Sequence, residues 1–255
     1  MAIKRKLKKF SLFVLIFILV LFTGPVVSLV SIQSGGSKDN AVFQELANID
    51  PTLNSEPLIQ VYAARTWGIK GALAVHTWIS TKRHNAEHYT NTQVIGWRYM
   101  HGKRSPLVEH VTTLPQSDWF GSPATLLLEL RGSQYEKTID EIEQAITSYP
   151  YADTYTMWPG PNSNTFTAYV ARLVPELGLD LPATAIGKDY RPWNYPIGRS
   201  PSRTGVQASI LGLAGVTVGL EEGIELNILS MNFEFDIFDF ALELPGIGRI
   251  GAEPN

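Results

Sequence analysis

The feature that most restricts this chain is an apolar run from Phe10 to Val30, FSLFVLIFILVLFTGPVVSLV, which contains no charged residue. A helix that spans a membrane needs about 20 such residues. A basic cluster precedes the run at Lys4, Arg5, Lys6, Lys8 and Lys9, and positive residues favour the cytoplasmic side of a membrane. We therefore expect a single-pass protein of the inner (cytoplasmic) membrane, with its N-terminus in the cytoplasm and its body exported, facing the periplasm.

The same run has a second interpretation, as a cleavable signal segment. Val26 and Ser28 are small enough for cleavage after Ser28, although they match an A-x-A site poorly. The apolar run exceeds the usual signal core of about 7–15 residues, so residues 1–30 are better explained as a retained anchor. Residues 31–40 are rich in Ser and Gly and are typical of a flexible linker.

Composition excludes several classes of protein. The chain of 255 residues has no cysteine, which rules out disulfides, Cys-ligated metals and a cysteine nucleophile. It has 21 basic and 24 acidic side chains, and because the N-terminal cluster holds several of the basic ones, the exported body is acidic. An acidic body argues against a nucleic-acid partner.

The pattern of the body predicts an α+β fold, with a domain at 41–204 and a β-rich C-terminal extension at 205–255 that packs on it. The predicted strands are 58–63, 72–80, 92–99 and 107–113, with 124–130 as strand or helix. The predicted helices are a short one at 41–47, one at 135–149 with Ile139, Ile142, Ala145 and Ile146 on one face, and one at 163–177.

The C-terminal extension has a strong strand pattern. We interpret Val206 to Leu220 as a buried part of a sheet, and 215–220 with 224–231 as a hairpin. The segment NFEFDIFDFALEL alternates apolar and polar residues, but the phase slips by one residue after Ile237. Such a slip is what a β-bulge produces.

Two short motifs carry the chemistry that the sequence suggests. His76 lies in an apolar strand within VYAARTWGIKGALAVHTWIS, followed by Tyr89 and VIGW, and Asn162-Ser163-Asn164-Thr165-Phe166 opens a helix. These motifs resemble the circularly permuted papain-like hydrolases, which include PPPDE-type isopeptidases and the lecithin retinol acyltransferase group. The exported region also resembles an uncharacterised bacterial family of unknown function whose members share GPNSNTF and PGIGR strings.

The first resemblance implies a permuted papain-like fold and an enzyme that acts on an amide or an ester. Ser163 would be the nucleophile in the position of the family's cysteine, and His76 the general base. A serine hydroxyl reacts only if His76 removes its proton during attack. Glu87, Glu109 and His110 are candidates for the group that orients His76. The alternative is a catalytically inactive relative that serves as a binding or scaffolding module of the cell envelope.

Other residues are candidates for binding alone. Asn162 and Asn164 flank the nucleophile position, and Arg199 and Arg203 carry guanidinium groups suited to a carboxylate or phosphate. His84, Glu87 and His88 resemble metal ligands but lack further partners, so we predict no metal and no cofactor. Trp119-Phe120-Gly121 and Trp193-Asn194-Tyr195 either pack in the core or at its rim, which is the favoured interpretation, or line a cleft for sugar or lipid. The expected partners are the membrane and an envelope peptide, lipid or protein.

Overall fold

The computed structural model describes residues 51–116, 118–237, 240–245 and 248–251, together with Ser11, Leu12, Leu15 and Val26. The predicted membrane segment and the predicted helix at 41–47 lie outside these ranges, apart from those isolated positions. Among the described residues, no helix is long and apolar enough to cross a membrane.

Two antiparallel sheets and a few helices make up the fold, which confirms the α+β class at that level. The strands of the first sheet are β1 (Leu58–Arg65), β2 (Val75–Lys82), β3 (Tyr89–Val94), β4 (Leu107–Thr112) and β5 (Ala124–Arg131), in the spatial order β4-β3-β2-β1-β5. The α-helices of the described chain are α1 (Gly96–Gly102), α2 (Glu136–Thr147) and α3 (Ser163–Leu173). Short 3-10 segments lie at Pro51–Leu53, Gly68–Ala72, Ser133–Tyr135 and Pro175–Leu177.

The second sheet contains the C-terminal strands in the order β12-β11-β10-β9-β8-β7-β6. Their ranges are β6 (Ile197–Arg199), β7 (Val206–Ile210), β8 (Ala214–Gly219), β9 (Gly223–Ile228), β10 (Met231–Asp236), β11 (Ala241–Leu244) and β12 (Gly248–Ile250). From β7 to β12, each strand pairs with the strand before it in the sequence, so this sheet is a simple meander.

The apolar core lies between the first sheet and the helices α2 and α3. On α2, Ile139, Ile142 and Ala145 are buried as their spacing predicts. On α3, Phe166 and Val170 are fully buried against the same core. The core therefore fixes α3 across one face of the sheet, and the start of this helix is where the chemical motif lies.

Several predicted elements differ in the structure: the predicted strand 72–80 begins at Val75, and the predicted helix 163–177 ends at Leu173. Three further differences concern strands. The predicted strand 92–99 ends at Val94, and Gly96 begins α1. NFEFDIFDFALEL is not one bulged strand, because β10 and β11 pair with each other as a hairpin. Val206 to Leu220 is not buried throughout: Val206, Ile210, Val216 and Val218 point to solvent. Alternation gives two faces to a strand, but it does not say which face is covered.

The covered face of the second sheet is polar and packs on the segment that follows α3. Asp189 accepts hydrogen bonds from Gln207 (2.6 Å), Asn227 (2.9 Å) and Asn232 (2.6 Å), which lie on β7, β9 and β10. Lys188 is fully buried and forms an ion pair with Glu225 of β9. We call these residues the polar seam, because they join the two halves of the fold.

Buried carboxyl groups in the polar seam and beside it have raised pKa values. Glu234 is buried with no hydrogen-bond partner for either oxygen among the described residues, and burial raises its pKa to about 10. Burial likewise raises the pKa of Glu225 to about 7, although the Lys188 ammonium opposes the shift. Glu234 is therefore protonated in the folded protein at neutral pH.

We predict that Glu234→Gln makes the protein less sensitive to alkali. Because the folded pKa of Glu234 lies above the unfolded value, the unfolded state loses its proton first as pH rises from about 4.5 to about 10. This difference lowers the unfolding free energy by up to about 1.4 kcal/mol per pH unit. The neutral amide removes this contribution, so urea unfolding between pH 5 and 9 should show a shallower loss than in the wild type.

The matched control for that measurement is Glu221→Gln, which makes the same change at an exposed position of the β8–β9 turn. It should unfold like the wild type at each pH. If the unfolding free energies of Glu234→Gln, Glu221→Gln and the wild type fell equally with rising pH, the claim that Glu234 is protonated in the folded protein would be wrong.

Candidate active site

The first turn of α3 is held by a reciprocal cap. The side chain of Asn162 accepts the backbone N–H groups of Asn164 (3.0 Å) and Thr165 (3.2 Å), and Thr165 Oγ1 accepts the N–H of Asn162 at 3.1 Å. Asn162 Nδ2 also donates to the carbonyls of Met157 (3.1 Å) and Ile186 (2.9 Å). The GPNSNTF string thus folds as a capping box whose cap residue is itself fixed on two sides.

Asn164 fastens this helix start to strand β2. Its Nδ2 donates to Val75 O at 3.0 Å and to Ile186 O at 2.8 Å, and its Oδ1 accepts the Thr77 hydroxyl at 3.0 Å. Val75 and Thr77 are the neighbours of His76 on β2. Ser163, which lies between the two asparagines, is therefore placed beside the part of β2 that carries His76.

His76 is buried and its ring is held between aromatic side chains. The ring stacks on Trp119 with centroids 3.6 Å apart and planes at 7°, and Trp78 lies at 5.9 Å. Nε2 lies 2.9 Å from Gln93 Oε1. Because an amide oxygen only accepts, Nε2 carries the proton. Burial lowers the pKa of His76 to about 4, so the ring is neutral at pH 7 and Nδ1 has a free lone pair.

Gln93 is the orienting residue that sequence reasoning missed. The candidates Glu87, Glu109 and His110 are exposed and form no hydrogen bond with His76 in the described structure. The β2–β3 register pairs Ile79 with Thr92, and its continuation puts Gln93 on the same face as His76. The hairpin register was the signal that could have found it, whereas the sequence candidates were all charged or imidazole side chains.

His76 and Ser163 reach one cleft because the first sheet opens at this point. Thr77 faces α3, so alternation turns His76 to the other face of β2. However, β2 and β3 pair only from Ile79 to Thr81, and the strands separate beyond Ile79. Both His76 and Ser163 line the cleft at this opening. In the described structure no hydrogen bond joins Ser163 Oγ to the His76 ring.

The cleft has a volume of about 270 Å³ and is strongly aromatic. Its aromatic wall consists of Trp67, Trp97, Trp119, Phe120, Tyr155 and Trp158. Lys70 is the one charged side chain among the described lining residues, and its ammonium lies 5.4 Å from the centre of the Trp67 ring. The cleft therefore suits an apolar group that ends near His76, Ser163 and the two asparagines.

The backbone at Ser163 offers a hydrogen-bond donor to this cleft. The Asn162 side chain takes the amides of Asn164 and Thr165, whereas the Ser163 N–H has no partner among the described residues. The first amides of a helix also carry the positive end of the helix dipole. This N–H can therefore stabilise a negative oxygen that develops beside Ser163 Oγ.

The structure does not bring every candidate residue to the cleft. Arg199 and Arg203 lie on β6 and the turn that follows it and do not line the cleft. Trp193 and Tyr195 are exposed and do not line the cleft. Trp119 and Phe120 do line it, which agrees with one of the two interpretations of the sequence. Among the described residues, no cluster of three or more potential metal ligands is found.

We predict that His76 in the folded protein stays neutral down to about pH 4. The unfolding free energy should therefore decrease as the pH falls below 6.5. The folded pKa of His76 lies below the usual 6.5, so the unfolded state takes up a proton first as pH falls from 6.5 to 4. The loss of unfolding free energy reaches roughly 3 kcal/mol, because each pH unit in this range contributes up to about 1.4 kcal/mol. The ring protons followed by NMR should show the low pKa, and His76→Gln should lack this part of the acid-induced loss.

The control for the His76 measurement is His110→Gln, at an exposed position of β4. It should keep the wild-type dependence of stability on pH. A His76 ring that titrates near 6.5 in the folded protein would contradict the buried, stacked geometry.

Removal of the Asn164 side chain should loosen the whole site. We predict that Asn164→Ala lowers the unfolding free energy by about 2–4 kcal/mol, since it leaves the carbonyls of Val75 and Ile186 without a donor. Chemical denaturation measures the loss, and Asn194→Ala, at an exposed position before β6, is the control. A loss no larger than that of Asn194→Ala would show that these hydrogen bonds are not important.

Comparison with known proteins assigns this region to a family. Residues 56–190 match the family described as protein of unknown function (DUF3750). This range includes His76, Gln93, Ser163 and Asp189 and ends before β6. No curated protein matches the chain, and no solved structure matches it. The match confirms the resemblance to an uncharacterised family, and since it covers more than half of the sequence, the chain belongs to the DUF3750 family.

Proposed function

We propose that this protein is a hydrolase or acyltransferase that acts on an amide or ester bond through Ser163 and His76, on a permuted papain-like arrangement of sheet and helix. One observation carries the proposal. His76 donates Nε2–H to Gln93, which leaves the basic Nδ1 available in the cleft that Ser163 lines. The ring is thus fixed in the tautomer that a general base requires.

The proposed reaction proceeds in two steps. Ser163 Oγ attacks the carbonyl carbon while His76 Nδ1 takes the hydroxyl proton, and the Ser163 N–H binds the oxyanion. His76 then gives this proton to the leaving amine or alcohol, and an acyl-serine remains. In the second step His76 takes a proton from water or another acceptor, which attacks the acyl group. The acyl–Oγ bond then breaks, and His76 returns the proton to Ser163 Oγ.

The cleft supports an apolar acyl group as the part of the substrate that is recognised. Its wall is aromatic, and its single described cation, Lys70, lies beside Trp67. Burial of apolar surface on such walls provides the binding energy, while a few polar groups fix the orientation of the ligand. Asn162 and Asn164 act here by positioning Ser163, because their amide groups are already bonded to the backbone.

The location we propose is the outer side of the inner membrane. Its support is the sequence alone: the basic cluster and the uncharged run from Phe10 to Val30. A protein held there would meet lipids and envelope peptides as substrates.

A second candidate function is binding without catalysis. The observation that favours it is that Ser163 Oγ has no hydrogen bond to His76 in the described structure, and a serine hydroxyl does not ionise as a thiol does. The aromatic cleft would then hold an acyl or aromatic group of an envelope component. The two functions differ in the reactivity of Ser163, which can be measured directly.

We predict that a fluorophosphonate probe labels Ser163 of the wild-type protein and that Ser163→Ala and His76→Gln abolish the labelling. Peptide mass spectrometry locates the adduct. Gln93→Leu should slow the labelling at least tenfold, because the ring loses the partner that fixes its tautomer. Ser209→Ala, a buried serine of β7 outside the cleft, is the control and should label like the wild type.

The variant S163C tests the geometry independently of serine reactivity. The chain has no other cysteine, so alkylation by iodoacetamide reports this thiol alone. We expect its pKa to lie below the usual value of about 8.5, since the helix start stabilises the thiolate, and the thiolate in turn favours the protonated form of His76. A lowered thiol pKa without probe labelling of the wild type would favour the binding function. An ordinary pKa and no labelling would refute the dyad.

A further inference from the structure

The C-terminal sheet presents an apolar face to solvent. Its outward side chains on β7 to β11 are apolar at every position: Val206, Ala208, Ile210, Ala214, Val216, Val218, Ile224, Leu226, Ile228, Met231, Phe233, Phe235, Leu242 and Leu244. The register confirms that they share one face, because Val216 pairs with Leu226, which pairs with Phe233. Val218, Ile224 and Phe235 form a second such row.

The opposite face shows that this orientation is built into the fold. The side chains between the apolar ones are polar and buried, such as Gln207, Thr217, Glu225, Asn227 and Glu234. They belong to the polar seam or lie beside it, with Asp189 as a common acceptor. A sheet that turned its apolar face inward would lose these hydrogen bonds. The apolar face is therefore outward in the native fold.

The size of this face matches that of the largest apolar patch on a typical soluble protein, and such patches are often functional. Five strands about 4.8 Å apart and up to about 20 Å long form a surface of roughly 400 Å². Val216 and Leu226, in the middle row of this face, remain 44% and 48% exposed. Contiguous apolar patches of a few hundred Å² or more mark sites that contact a partner or a membrane.

We propose that the apolar face of the C-terminal sheet docks on the lipid bilayer, in contact with the hydrocarbon next to the headgroups. The sequence places a partner of this chemistry within reach: the uncharged run ends at Val30 and the described body begins at Pro51. Even a fully extended connection spans only about 70 Å at about 3.5 Å per residue. The tether thus keeps the body near the membrane, where an apolar face meets lipid first.

The margins of the face fit the headgroup region. Trp193 and Tyr195 lie beside the edge strand β6 and are 71% and 68% exposed, and such aromatic residues favour the membrane interface. Arg199 is a charged outward side chain at this edge of the sheet, on β6 itself. A guanidinium there can pair with a lipid phosphate. Arg199 thus has a role outside the cleft, as a contact to anionic headgroups.

The face also continues towards the aromatic cleft. Trp158 lines the cleft and donates Nε1–H to the carbonyl of Leu229 (3.3 Å) in the β9–β10 turn. Both side chains are exposed. An acyl chain could therefore pass from the docked face into the cleft with little contact with water. The docking proposal rests on the proposed membrane tether and does not require that Ser163 is reactive.

Single-cysteine labelling of the full chain tests the docking. Val216→Cys and Leu226→Cys place a thiol on the face, and Lys137→Cys places one on exposed α2, where the Lys137 side chain is 85% exposed. Each is labelled with the fluorophore NBD in vesicles of phosphatidylcholine and phosphatidylglycerol. We expect nitroxide-labelled lipid to quench both face sites at least threefold more than the α2 site. Iodide in the buffer should quench the α2 site most.

Four results would each overturn the proposal. Equal quenching of the three sites would mean that the face does not contact lipid. Shielding from both quenchers, with cross-linking of the Leu226→Cys thiols between copies, would assign the face to a second copy of this chain. Failure of the full chain to remain with the vesicles would refute the tether as well, whereas retention with an unquenched face would refute only the docking. In retained protein, Val218→Glu should reduce lipid quenching at position 216, and Gln134→Glu should not.

Discussion

The attachment of the α3 start to the open end of β2 is the interaction on which the rest of the site depends. Where β2 loses β3 as a partner, its carbonyl at Val75 needs another donor, and an unpaired buried carbonyl costs about 1–3 kcal/mol. Asn164 supplies that donor and bonds to Thr77 as well. The sheet can therefore remain open beside His76, and the same side chain that stabilises the opening places Ser163 at its edge.

The polar seam has a comparable effect on the second sheet. Asp189 follows closely on the segment that holds the α3 cap, and it gathers amide groups from three strands. These contacts decide which face of the meander is covered. Polar and apolar side chains alternate along these strands, so each strand has one polar face and one apolar face. Because the polar face is covered, the apolar face is exposed. The same loop thus connects the geometry of the cleft with the surface that we propose to meet lipid.

Much of the fold could be predicted from local patterns, and most of the errors share a cause. The strands at 58–63 and 107–113, the α2 face and the helix that begins at Ser163 follow from periodicity and from the Asn162 cap. The exposed side of β7 and β8 and the role of Gln93 depend on contacts between separate segments, and the turn between β10 and β11 carries no turn signal that the alternation revealed. An amide that orients a histidine has no distinctive local sequence signal, and burial of one sheet face is a property of the whole fold.

The environment of His76 determines how strong a base it can be for the proposed activation of Ser163. Close stacking on Trp119 and burial make the imidazolium unfavourable, and Gln93 stabilises that charge only by a neutral oxygen. In the proposed reaction the neutral base is therefore present over the whole neutral range but is weak, because the driving force for proton transfer falls with the pKa of the base. Because a weak base lowers the activation barrier less, the oxyanion donor at Ser163 and the binding of the acyl group to the aromatic wall would have to lower it more. The proposed reaction would therefore depend on the position of Ser163, which two asparagines fix, and on its N–H, which has no partner among the described residues.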